Sequence, residues 1–260
     1  MQMEIKKLNA ARGWTWVKQG YQLIMLSPLM AIILALIGAT VMFLTLRIPV
    51  LGPIFAIVLM PMMVAGYARV CRALEEEEEV ELTHLFAGFR KHAAQLVALG
   101  GFLMLGVLAA SMVMVFLGGE PLRTLLDNVN AASDPQMLLD SMWAAGAGVA
   151  FSLAVGFTLM CLLMLAFQYA PMLVFFNDGI SPFAALRASL TGSLRNLIPY
   201  TVYNVIMQVI ALVLSMLPYS IGLIVLLPLG LTSLYVSYRN IFPFAHELAA
   251  IGPVTHDPEV

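Results

Sequence analysis

The chain has 260 residues, of which 61% are hydrophobic and 11% charged; 13 Lys and Arg stand against 15 Asp and Glu, for a net charge of −2. An ordinary soluble domain is about 25% charged, and the mean hydropathy here is +0.92. These values exclude an ordinary soluble enzyme, a disordered regulator and a nucleic-acid binder, which needs a basic footprint for the phosphate backbone. A multi-spanning membrane protein remains.

In chain order, the first feature is Gly13-Trp14-Thr15-Trp16-Val17-Lys18-Gln19-Gly20. Apolar residues at helical spacing with a few cations predict a short helix lying in the headgroup region. A spanning helix takes about 20 mostly apolar residues, and six segments qualify: 21–46, 50–70, 93–117, 143–176, 196–217 and 220–242. The first is too long, and its polar lead-in too extended, for a cleaved signal, so it is expected to remain as span one. Before span three comes Leu82-Thr83-His84-Leu85-Phe86-Ala87-Gly88-Phe89-Arg90, a second lead-in. Before span five comes a third, from Ser181 to Leu190, where Ser181 and Pro182 read as N-cap and first helical residue. The segment 118–142 is an insertion, with a short helix expected from Leu122 to Asp127.

The even-numbered spans share a proline: Leu59-Met60-Pro61-Met62, Tyr169-Ala170-Pro171-Met172 and Leu226-Leu227-Pro228-Leu229. The fold expected is therefore all-α and polytopic, a single domain over 1–260. It comprises three units of interfacial helix, span and proline-kinked span. Each proline removes a hydrogen bond and frees a carbonyl four residues earlier, at Ile57, Phe167 and Ile224. In lipid such a group needs another partner.

Cations orient the chain. Lys6, Lys7, Arg12, Lys18, Arg69, Arg72, Arg90, Lys91, Arg187, Arg195 and Arg239 fall on one side, and only Arg47 and Arg123 on the other. The positive-inside rule then puts both termini in the cytoplasm. Trp14, Trp16, Tyr21, Tyr235 and Tyr238 suit the inner interface, and Trp143 and Tyr219 the outer one.

Chemistry is sparse. No acid, lysine or histidine lies in the middle of a span, which argues against a proton-coupled transporter. No HExxH occurs, and His84, His92, His246 and His256 lie outside the spans, so no base reaches Ser111 or Ser152. No catalytic residue, metal site or cofactor is expected. Cys71 and Cys161 read as small buried apolar residues. The polar residues within spans are amides: Asn204 and Gln208, four apart on one helix face, and Gln168, three before Pro171. With Arg187 and Arg195 nearby, these are the candidate lipid-binding residues; interhelical hydrogen bonding is the plainer use of such amides. Gly148, Ser152 and Gly156 form a small-residue stripe suited to an internal helix seam or a dimer face. The glutamates at 75–79, with Glu81, read as a solvated charge run, some of which cap the next helix.

The stretch Ala185-Leu186-Arg187-Ala188-Ser189-Leu190 through Asn196-Leu197, after a span ending Ala170-Pro171-Met172-Leu173-Val174, resembles the membrane domains of some bacterial glycerophosphodiester phosphodiesterases. The 82–89 and 235–242 stretches are similar to a family of uncharacterised proteobacterial six-span inner-membrane proteins. The resemblance covers most of the chain. It implies an all-helical bacterial inner-membrane domain and supplies no catalytic residue; without a soluble catalytic domain, the phosphodiesterase activity does not transfer. The expected function is non-enzymatic binding of lipid or a protein partner at the cytoplasmic leaflet. The alternative is an uncoupled transporter or channel for a small neutral or amphiphilic solute. Membrane lipids are the expected partners, a second copy or another membrane protein the further ones, and nucleic acid is excluded.

Overall fold

In a computed structural model, which describes residues 5–131, 135–216 and 221–244, every regular element is helical. The elements are α1 (Arg12–Leu26), α2 (Pro28–Leu46), α3 (Gly52–Glu75), α4 (Leu82–Leu85) with a 3-10 turn (Ala87–Phe89), α5 (Ala93–Ala131) and α6 (Pro135–Ala144). They continue with α7 (Gly146–Phe167), α8 (Ala170–Phe176), α9 (Pro182–Arg195), α10 (Leu197–Ser215) and α11 (Ile221–Ile241). Five segments are long and apolar enough to cross a membrane: Pro28–Leu46, Gly52–Glu75, Ala93–Val129, Gly146–Phe176 and Leu197–Ser215. Tyr219, His246 and His256 lie outside the described residues.

Packing divides the molecule into two layers. At the end rich in cations, the last turns of α3, the whole of α8 and the last turns of α11 meet around Tyr67, Cys71, Leu173 and Tyr238, with α1 laid across them through Trp16 and Ile24. Away from that end the helices are less buried. The most apolar window of α3 is 56% buried, that of α2 17% and that of α10 only 6%. Large apolar side chains exposed on these helices are what a lipid solvent calls for.

Small residues allow the charged end to close. A Cβ at Gly66 of α3 would overlap the Leu85 carbonyl, so α4 seats directly on α3 backbone. Tyr67 ties α2 to the same place by donating to the Ala31 carbonyl at 3.0 Å. Between α5 and α7, Gly156 faces Met114, and Ser152 is fully buried beside Gly118, so two members of the small-residue stripe form an internal seam; a Cβ at Gly148 meets nothing. Cys71 is buried, Cys161 half-buried, and both are free thiols.

Two sequence expectations need correction. Span one does not start at 21. Ser27 leaves the helix (φ −151, ψ 76) and Pro28 begins α2, so 12–26 is one helix longer than the expected lead-in. The insertion holds more helix than Leu122 to Asp127. The α5 helix runs on to Ala131 through a non-helical Gly119 (φ 53), where glycine alone takes the left-handed conformation cheaply, and Leu122 and Leu125 bury against Val149.

Candidate functional site: a groove between the proline-bearing helices

The prolines act differently from one another. Pro61 and Pro228 lie inside continuous helices. Beside Pro61, α5 presents Gly100, whose missing Cβ would sit 2.6 Å from the Val58 Cα and 3.1 Å from the Ile57 carbonyl oxygen. The carbonyl that Pro61 deprives of a donor is therefore covered by the close approach of a glycine Cα–H. Near Pro171 the chain breaks outright between Phe167 and Ala170. The break comes from a side chain. Tyr169 N–H donates to Ser189 Oγ at 3.1 Å, and Ser189 Oγ donates to the Leu165 carbonyl at 3.0 Å. The hydroxyl thus stands where the helix's own Tyr169-to-Leu165 bond would be. Ser193 adds a second donor to Leu165, at 3.1 Å.

Around these prolines lies a groove of about 710 Å³. Met60, Pro61 and Val64 come from α3, Gln168 and Pro171 from the α7–α8 break, Tyr200, Tyr203 and Asn204 from α10, and Leu227 and Gly230 from α11. The wall is mostly apolar. Gln168 Oε1 is buried there without a hydrogen-bond partner. Asn204 spends its Nδ2 donor on the Tyr200 carbonyl at 2.8 Å. Helices α7 and α10 both contribute to the wall yet do not pack side by side.

Gln168 and Asn204 are thus brought together, with the tyrosines of α10. Gln208 is not: it is exposed and absent from the lining. Four residues turn a helix by about 400°, so each such step leaves the face rotated by about 40°, and at Gln208 α10 already presents that face outward. Arg187 and Arg195 are exposed on and at the end of α9 and do not line the groove. Pro228 is not itself a lining residue, although Leu227 and Gly230 are.

Glu76 to Glu79 are exposed in the loop after α3, as expected of a solvated run, but its first member is drawn into the packing. Glu75 ends α3 and pairs with Arg239 of α11, while its other oxygen accepts from Tyr235 at 2.8 Å. Glu76 accepts from Arg72 at 2.6 Å and Glu78 from Arg69 at 2.5 Å. Glu81 does cap α4, reciprocally with His84. Ser181 caps α9 as read, accepting from Ala184 N–H at 3.2 Å. On the adjoining loops, His92 and Lys91 sit 2.9 and 3.2 Å from Asp178 and hold its carboxyl below the usual carboxylate range.

Asn196 is a residue that sequence reasoning missed. It is fully buried and clamps the N-terminal segment: Leu8 N–H donates to its Oδ1 at 2.8 Å, and its Nδ2 donates to the Lys6 and Gly192 carbonyls at 2.9 Å. The signal was the stripe of small residues Ser189, Gly192 and Ser193 on α9, continued by Asn196 at its C-cap.

No family model matches the chain, and no solved structure does. The chain is 26% identical to a protein of Burkholderia thailandensis over 276 aligned positions, covering 98% of this chain and 100% of that protein, which is named a probable inner membrane protein. The apolar helices and that name agree on a multi-pass protein of the inner membrane. The likeness to phosphodiesterase membrane domains gains no support from either.

Proposed function

We propose that this protein is a non-enzymatic lipid-binding protein of the inner membrane, which takes up a lipid from the cytoplasmic leaflet into the groove between α7 and α10. The observation that carries this reading is the groove itself: mostly apolar walls among helices with exposed apolar side chains, lined also by the unpartnered Gln168 oxygen and by Asn204. Pockets of about 300–1,000 Å³ with a few polar groups in an apolar lining are the usual form of a small-molecule site. A mainly apolar wall favours an amphiphile over the hydrated solute that a channel would carry.

The reading includes six spans in three units, with α11 as the sixth span. The packing order supports it. Helix α4 seats on α3, α9 on α7 and α8, and α1 on α11, so each lead-in helix lies on the even span of the unit before it, and the first lead-in closes the ring on the last unit.

Gly230 offers the test. A Cβ there has only the Met207 side chain within reach, at 3.9 Å, so a side chain added at this lining position starts in open space and extends from the groove wall. Gly230→Phe and the pair Gln168→Leu/Asn204→Leu are each expected to lose most of the phospholipid retained by the detergent-purified wild type in native mass spectrometry. Melting should stay near the wild-type value. Undiminished lipid in both variants would overturn the reading.

A further inference from the structure

A second cavity, of about 520 Å³, opens at the charged end between the N-terminal segment, α1 and the last turns of α11, and it shares no lining residue with the groove. Its polar lining includes Lys6, Arg12, Gln19, Gln22, Glu75 and Arg239. The charges do not cancel. Glu75 is taken up by Arg239 on one oxygen and Tyr235 on the other. Neither Lys6 nor Arg12 has an acidic partner among the described residues. Among the described residues, two positive charges at the cleft therefore have no acidic partner.

The Lys6 backbone is also held in place. Its N–H donates to the Ile241 carbonyl at 3.1 Å, and its carbonyl accepts from the buried Asn196 at 2.9 Å. Arg12 opens α1, a helix with no side-chain cap and no acidic residue in its first turn, so the positive end of the helix dipole reinforces the same field. Gln19 and Gln22, one turn apart and exposed, add amide donors on the same side. Cations with neighbouring amide donors are the chemistry that recognises phosphate oxygens. Leu23 and Leu26 of α1 form the apolar part of the wall, which leads on to the start of α2.

We propose that this cleft binds a phosphate-bearing anion through Lys6 and Arg12, with Asn196 as the positioning residue that fixes Lys6. The phosphate belongs either to an anionic lipid headgroup or to a small solute.

Two titrations on the full-length purified protein separate these sources: inorganic phosphate by calorimetry in detergent, and phosphatidylglycerol against phosphatidylcholine in nanodiscs by native mass spectrometry. Binding of one phosphate per chain assigns a solute site. Phosphatidylglycerol preference with no phosphate binding assigns a headgroup site. In either case Lys6→Gln/Arg12→Gln weakens phosphate binding or the phosphatidylglycerol preference at least tenfold, while Arg123→Gln, exposed and outside both cavities, leaves it unchanged, and the groove variant Gly230→Phe lowers total retained lipid without changing that preference. Gln19→Leu/Gln22→Leu, which keeps both charges, weakens it less and serves if the double charge variant melts early. Absence of binding in both arms overturns the proposal, as does equal weakening by Arg123→Gln. Because the groove variant is scored separately, either site can fail alone.

Discussion

Gly100 and Gly101 are adjacent in α5 and meet opposite surroundings. A Cβ at Gly100 would press on the backbone of α3 at Val58, whereas one at Gly101 meets nothing within 4 Å. Backbone cannot move aside as a side-chain tip can, so Gly100→Ala forces α3 and α5 apart. It also uncovers the Ile57 carbonyl that Pro61 leaves without a donor. Overpacking of this kind costs about 1–3 kcal/mol. Gly101→Ala gains helix propensity, by up to about 1 kcal/mol. Thermal unfolding in detergent should therefore show a lower Tm for Gly100→Ala and an unchanged or higher one for Gly101→Ala. Equal values would mean that the α3–α5 contact is looser than described. At this scale the sequence was partly legible. Gln168 and Asn204 stood out because amides are costly in an apolar span without a purpose. Gln208 was misread, since spacing gives a shared face but not where the neighbouring helix ends. Ser189 was invisible, because its role depends on a helix break in another segment.

At the scale of elements, α1 and α9 repeat one arrangement. On α1, Trp14, Lys18, Tyr21 and Met25 form a stripe at steps of four, three and four, with Trp14 56% exposed, opposite a face where Trp16 is 0% exposed. On α9, Phe183, Arg187, Leu190 and Leu194 keep the same steps, and Phe183 is 70% exposed. An aromatic followed by a cation one turn later, on the outer face of a helix packed over the charged end, belongs at a membrane surface, where the ring sits at headgroup depth and the cation reaches phosphate. A protein keeping Trp14 alone (Trp16→Phe, Trp143→Phe) should then be quenched most by nitroxide lipids labelled near the headgroup and least by those labelled at the chain end. The reverse order would put α1 across the bilayer instead of along it. Run length made the spans legible, and amphipathic spacing the lead-ins. The Ser27 break was hidden inside an unbroken apolar run, because hydropathy does not register a single residue in an extended conformation. The Glu75–Arg239 pair was hidden because its halves lie on helices far apart in the chain.

For the whole molecule, charge and packing have to agree on a direction. Eleven of the thirteen Lys and Arg residues gather at the end where α3, α8 and α11 pack, and Arg47 and Arg123 sit at the other. Translocating the first group would carry most of the chain's positive charge across the membrane, which the positive-inside rule opposes. The packed end is also where both polar features lie: the Lys6–Arg12 cleft and the paired glutamates at the end of α3. An inward direction would expose them to cytoplasmic solutes and to the inner leaflet. Surface cysteines can report it. Glu79 at the packed end and Arg123 at the far end are both exposed, and Cys71 is buried deeply enough to stay silent. In a Cys161→Ser background, Arg123→Cys should react with a membrane-impermeant maleimide on spheroplasts. Glu79→Cys should react only after the membrane is opened. The opposite pattern would turn the molecule over, place the phosphate cleft outside the cell, and require the groove to draw on the outer leaflet.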